Sequence, residues 1–142
     1  MTLKEIADEW FDKTVPYPVP DPHGFQGQCV QFIRWCLNEY YHKPQWKSQL
    51  YAADFWASWA SDPNLFNHFD RIVNTPDFTP KEGDICIWNK NKGGGCGHIA
   101  IVYGGQQSVK MLTCLEQNWK PLKVSIVTHN YNDVIGFFRV KE

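Results

Sequence analysis

The chain has 142 residues, with 14 Lys and Arg against 15 Asp and Glu, for a formal charge of −1. That length suits one domain over 1–142, and the near-neutral balance gives no electrostatic reason to expect a nucleic-acid or membrane-surface partner. Five cysteines, an odd number without a close CxxC pair, exclude a complete intrachain disulfide framework, and the 43% hydrophobic fraction excludes a disordered chain.

Residues 2–13 have helical spacing. Thr2 and Glu5 read as a capping box, and Leu3, Ile6, Trp10 and Phe11 form the apolar stripe. The start lacks the basic-then-apolar layout of a signal peptide, and no run approaches the ~20 apolar residues of a membrane span. The chain is therefore expected to be made as a soluble cytoplasmic protein and to act outside the cell only after release. Four prolines between Val15 and Pro22 forbid helix and central strand, so an extended connector follows. From Gln28 to about Tyr41 a second helix is predicted, with Cys29, Phe32, Ile33, Cys36, Leu37 and Tyr40 on one apolar face. A short third helix over residues 51–60 places Ala52, Phe55, Trp56 and Trp59 together, and Asp62-Pro63-Asn64 stops it.

After residue 70 the period changes to two. Strands are predicted over 84–88, 98–103, 111–118, 124–129 and 134–140. A loop rich in glycine (Gly93-Gly94-Gly95) precedes the second of them, and Gly104-Gly105 turns it. Short connections favour an antiparallel meander, and helices before strands give an α+β class.

Cys29 opens the second helix. A helix N-terminus presents free N–H groups and a partial positive charge, which stabilise a thiolate and can serve as an oxyanion hole. Taken alone, a free Cys is more often a small buried hydrophobe. The partners change that balance. His98 opens a strand after the glycine loop, on the face of Ala100 and Val102. Glu116 and Asn118 lie two apart on a later strand, on the face of Leu112 and Cys114. If the Cys29 helix packs on that face, its N-terminus lies over His98, Glu116 and Asn118. The set supplies acyl transfer: Cys29 attacks an amide, His98 holds the thiolate and protonates the leaving amine, and Glu116 or Asn118 fixes the imidazole. A bell-shaped pH profile follows, and a flat one from about pH 5 to 9 would count against the assignment.

Four segments carry a resemblance, in order: Gly27-Gln28-Cys29-Val30, Gly83-Asp84-Ile85-Cys86-Ile87-Trp88, Gly97-His98-Ile99-Ala100-Ile101-Val102, and Glu116-Gln117-Asn118-Trp119. With the closing Ile135-Gly136-Phe137-Phe138-Arg139, they resemble the CHAP domain (cysteine, histidine-dependent amidohydrolase/peptidase) over a core of about residues 14–140. The resemblance implies a papain-like (NlpC/P60-like) α+β fold, with N-terminal helices on an antiparallel sheet of about five or six strands. It also implies hydrolysis of peptidoglycan, as in phage endolysins and bacterial wall hydrolases, with either N-acetylmuramoyl-L-alanine amidase or stem- or cross-bridge endopeptidase specificity. By matching position the nucleophile is Cys29, the base His98, the orienting acid Glu116 and a fourth polar member Asn118.

Gln28 precedes the nucleophile and, with Trp88 and Trp119, is a candidate for substrate binding. Some family members carry calcium on acids just before the cysteine. Here only Asp21 remains there, and Gln31 stands where an acid can occur, so no calcium is expected. Cys86, Cys96, His98 and Cys114 lack zinc-knuckle spacing, so no metal or other cofactor is expected. The Gly93-Gly94-Gly95 loop, without the Lys-Ser/Thr of a phosphate loop, reads as a flexible lip beside His98. The expected partner is peptidoglycan, with any wall-binding domain or subunit separate. Two other readings remain open: a non-catalytic wall- or glycan-binding module rich in Trp, and an amine transferase using the same thiol.

Overall fold

The computed structural model describes residues 1–16, 28–106, 110–117 and 122–142. Most of the proline connector, together with Asp21, Asn118 and Trp119, lies outside the described residues. Among the described residues four helices come first: α1 (Leu3–Trp10), α2 (Cys29–Glu39), α3 (Asp54–Ser58) and α4 (Pro63–Phe66), with a 3-10 turn at Trp59–Ser61. Six strands follow: β1 (Phe69–Val73), β2 (Ile85–Trp88), β3 (His98–Gln106), β4 (Met111–Gln117), β5 (Val124–Asn130) and β6 (Val134–Val140). They form one sheet in the order β1-β6-β2-β3-β4-β5 with every pair antiparallel, so the α+β expectation holds.

The Thr2 hydroxyl accepts from the Glu5 N–H at 3.1 Å and starts α1 as the capping box predicts. The stripe is shorter than expected. Leu3 and Ile6 are buried and Trp10 packs edge-on against Trp35, but Phe11 is 54% exposed and leaves the helix to bridge Val124. In α2 Phe32, Ile33, Cys36 and Leu37 of the predicted apolar face are buried and Cys29 and Tyr40 half-buried, while Gln31, Arg34 and Trp35 on its other sides are buried too. A helix buried nearly all round needs partners for its polar side chains. Arg34 finds them in the Gln45 side chain and the Trp46 carbonyl, and Gln31 in the Val15 carbonyl.

The third helix and its 3-10 turn stop at Ser61, just before Asp62-Pro63-Asn64 as expected, and the same residues also begin α4: the Asp62 carboxylate caps Asn64 N–H, with Pro63 at the first helical position. Two expectations are corrected. Gly104 and Gly105 do not turn the chain; β3 runs through them with a register shift between Val102 and Gly104. The meander covers only β2 to β5. From there the chain crosses back so that β6 pairs with β2, and β1, absent from the predicted strands, pairs with β6.

Period two separates the sheet into two apolar faces. Ile85, Ile87, Ile99, Ile101, Leu115 and Phe138 share one core with Phe32, Ile33, Cys36 and Leu37 of α2. Cys86, Trp88, Ala100, Val102, Leu112, Cys114 and Phe137 form the second core on the opposite face. The sheet curls around this second face. Trp88 on β2 and His129 on β5 have two strands, β3 and β4, between them in the sheet order, yet their ring centroids are 4.8 Å apart.

Candidate active site

Each functional side chain is placed by the end of a regular element. Cys29 is the first residue of α2, where first-turn N–H groups have no acceptor within the helix. Gln28, half-buried, is its N-cap residue and makes no side-chain capping bond. His98 is the first residue of β3, paired with Trp88 of β2, and Glu116 lies near the end of β4. Just before His98, Gly97 adopts φ +76°, and a Cβ there would lie 2.5 Å from Ala53 Cβ and 2.8 Å from the Trp88 carbonyl oxygen. Only glycine fits both the dihedral and the space.

The glycine loop is not a loose lip. Gly93, Gly94 and Gly95 all have positive φ, and the turn is closed by Cys96 N–H donating to Gly93 O and Gly97 N–H to Lys92 O. A further bond from Ala53 N–H to Cys96 O ties it to the start of α3. The positions before His98 are therefore held from two sides.

The expected face for α2 is wrong. The helix packs on the Ile99, Ile101 and Leu115 side, whereas His98 and Glu116 share the other face with Ala100, Val102, Leu112 and Cys114. Cys29 nevertheless lies near His98, one opening the helix and the other the strand, and its thiol is close enough to raise the imidazole. The His98 Nε2 is 3.1 Å from Glu116 Oε2, close enough for an ion pair but without hydrogen-bond alignment. Burial would push the His98 imidazole down, but Cys29 and Glu116 outweigh it and raise it from 6.5 to about 9. Burial would raise Glu116, but His129 and His98 hold it down at about 2. At neutral pH the pair is imidazolium beside carboxylate.

His129 was missed by sequence reasoning. Its Nε2 lies 2.8 Å from the same Glu116 oxygen. Alternation along β5 alone could not find it; the signal is the β4–β5 register, which sets His129 opposite Leu112 on the Glu116 face. Donor atoms of His98, Glu116 and His129 all lie within 4.8 Å of one another, a spacing that a divalent ion could bridge. The carboxylate oxygen already faces both imidazoles, so the three form a polar unit without one.

Trp88 does not line a groove in this structure. It is 0% exposed and wedged against His98 and His129, at 5.0 and 4.8 Å between ring centroids. Lys92 Nζ lies 5.5 Å from its ring centroid. Of the five cysteines, Cys36, Cys86 and Cys114 are buried, and burial pushes their thiols well up. Cys29 and Cys96 are partly exposed. The motif residues Asp84 and Arg139 form a two-pronged ion pair at 2.7 and 2.8 Å, which joins the start of β2 to the end of β6. Their place in the pattern is structural.

A family model described as CHAP domain matches residues 20–118. Endolysin PlyTW of Staphylococcus phage Twort is 40% identical over 77 residues, covering 46% of this chain and 16% of that protein. The crystal structure of a wild type endolysin, LysIME-EF1, superposes with a TM-score of 0.61 at 20% identity, over 98% of this chain and 64% of that one. The chain thus spans less than two thirds of either relative, and at 20% identity the second likeness speaks to fold.

Proposed function

This chain belongs to the CHAP domain family, and from that premise we propose that it is the catalytic domain of an endolysin-type peptidoglycan hydrolase. The observation that supports this reading best is the buried His98 at 3.1 Å from the Glu116 carboxylate, with Cys29, at a helix N-terminus, close enough to raise the imidazole. In the proposed reaction the Cys29 thiolate attacks the amide carbonyl carbon, and first-turn N–H groups of α2 stabilise the oxyanion. The C–N bond breaks as His98 gives its proton to the leaving nitrogen. Water then loses a proton to His98 and attacks the thioester, and the C–S bond breaks to return the thiolate. Glu116 keeps the His98 ring oriented throughout and balances its charge whenever it is imidazolium. By matching position, Asn118 is the fourth polar member, and Gln28 and Trp119 stand next to the reacting groups in sequence. Peptidoglycan is the proposed substrate, reached at the bacterial wall after release, with any wall-binding domain supplied separately.

Cys29→Ala tests this. Purified Gram-positive cell walls should no longer clear, and no new amino groups should appear, while the circular dichroism spectrum stays unchanged. Undiminished clearing by the variant would overturn the reading. Mass spectrometry of the muropeptides would identify the bond cut, and products carrying an added amine would identify transfer in place of hydrolysis.

A further inference from the structure

The Glu116 carboxylate is 2% exposed, and a buried charge needs well-placed partners. His98 is an imperfect one, since its Nε2 stands 3.1 Å from Oε2 without hydrogen-bond alignment. His129 approaches the same oxygen more closely, at 2.8 Å, and with hydrogen-bond geometry. It comes from β5 across the concave face, and the Trp88 indole fills the space between the two imidazoles, whose centroids are 6.0 Å apart. The three torsions of a glutamate side chain allow many orientations. A second anchor on Oε2, hydrogen-bonded from β5, selects the one that faces His98.

We propose that His129 is a positioning residue of the proposed reaction: its Nε2–H holds Glu116 Oε2 so that the carboxylate faces the His98 ring. His129 touches neither Cys29 nor the reacting atoms and acts through Glu116. The proposal rests on the functional reading above only for what the positioned imidazole then does. Among the described residues, the other titratable or charged groups around this cluster are Cys29 from α2, Lys92 from the turn before β3, and Cys86 and Cys114 beneath it.

The test compares His129→Gln, which keeps an N–H donor, with His129→Phe, which fills the space beside Trp88 without one, and with His129→Ala. Two quantities are read against pH: clearing of purified Gram-positive walls, and alkylation of Cys29 by iodoacetamide, followed by mass in a Cys96→Ser background. If His129 positions Glu116, the Phe and Ala variants lose clearing activity by up to about a hundredfold, the scale of a misplaced catalytic group. Their upper pH limb moves down in both readouts, and Gln recovers most of the rate and the limb. Should Ala fail to fold, the Gln and Phe pair decides alone. The proposal is overturned if Phe restores the wild-type limb, which would make the role one of packing. It is also overturned if the limb moves up, which would mean that His129 competes with His98 for the oxygen. Clearing by Cys29→Ala would sink the functional reading instead; a dead Cys29→Ala beside wild-type behaviour in all His129 variants would sink only this inference.

Discussion

The two faces of the sheet are built on different terms. The face under α2 is mainly apolar, with Phe32, Ile33, Leu37, Ile99, Ile101, Leu115 and Phe138 in one cluster, and its buried Gln117 accepts from Val15 N–H. The concave face holds a comparable apolar floor of Cys86, Ala100, Val102, Leu112 and Cys114, but His98, Glu116 and His129 share it. On the first face, stability follows buried area, and any well-packed apolar set of similar volume would serve. On the second, buried charge is tolerated because partners stand at 2.8 and 3.1 Å from the carboxylate, and one misplaced member leaves the others uncompensated. A change on the first face should therefore alter stability with little effect on chemistry, and a change on the second should do the reverse.

Glu116→Gln is the strongest way to break that contrast. It keeps the volume and removes the charge, so lysis should fall on the order of 10³–10⁴-fold, as when the orienting carboxylate of a catalytic triad is neutralised. The upper limb of the activity profile, expected near pH 9 where His98 loses its proton, should move down. Phe138→Ala addresses the other face. This side chain is fully buried and lies against Trp46 and Trp56 at 5.4 and 5.7 Å, so unfolding by urea should show a loss of about 3–5 kcal/mol. The pH limbs of the surviving folded fraction should not move. Gly97→Ala sits between the two faces. The clash with Ala53 and the Trp88 carbonyl, together with the left-handed dihedral, should cost about 1–3 kcal/mol in urea unfolding and depress activity by displacing His98.

The pH dependence of stability offers a subtler check. His98 is raised, so its contribution is complete below about 6.5 and is lost as pH rises through about 9. Glu116 is lowered, so its contribution is complete above about 4.5 and is lost as pH falls through about 2. Melting temperature should therefore be highest between about pH 4.5 and 6.5, and Glu116→Gln should flatten the acid side. The smallest effect is expected at Ile126, 44% exposed on β5, where substitution by Ala should stay within about 0.5 kcal/mol and leave lysis unchanged.

Much of this contrast was legible in the sequence. The heptad-like spacing of α2 named its apolar face, because a helix presents i, i+3, i+4 and i+7 to one neighbour. Alternation in β3 and β4 placed His98 with Ala100, and Glu116 with Cys114, since strand side chains change sides at every residue. Which face would meet the helix was not legible, because both rows of residues are apolar and either could have been covered. Trp88 was misread for a related reason: its position beside a glycine loop suggests access, yet the curl of the sheet closes over it. His129 was invisible because its significance depends on register with β4, and β1 was overlooked because only Phe69 of its five residues is buried.

The sequence by itself determined the α+β class, the order of the elements it predicted, and the motifs of the CHAP family, in which Cys29 opens a helix and His98 opens a strand. These are local properties, carried by period, capping and motif spacing. Tertiary structure alone decided the return of β6 to β2, the side on which α2 packs, and the gathering of His98, Glu116 and His129 around Trp88. Those contacts join residues far apart in the chain, and they are selected by how a curled sheet buries two apolar faces at once. No local pattern encodes that choice.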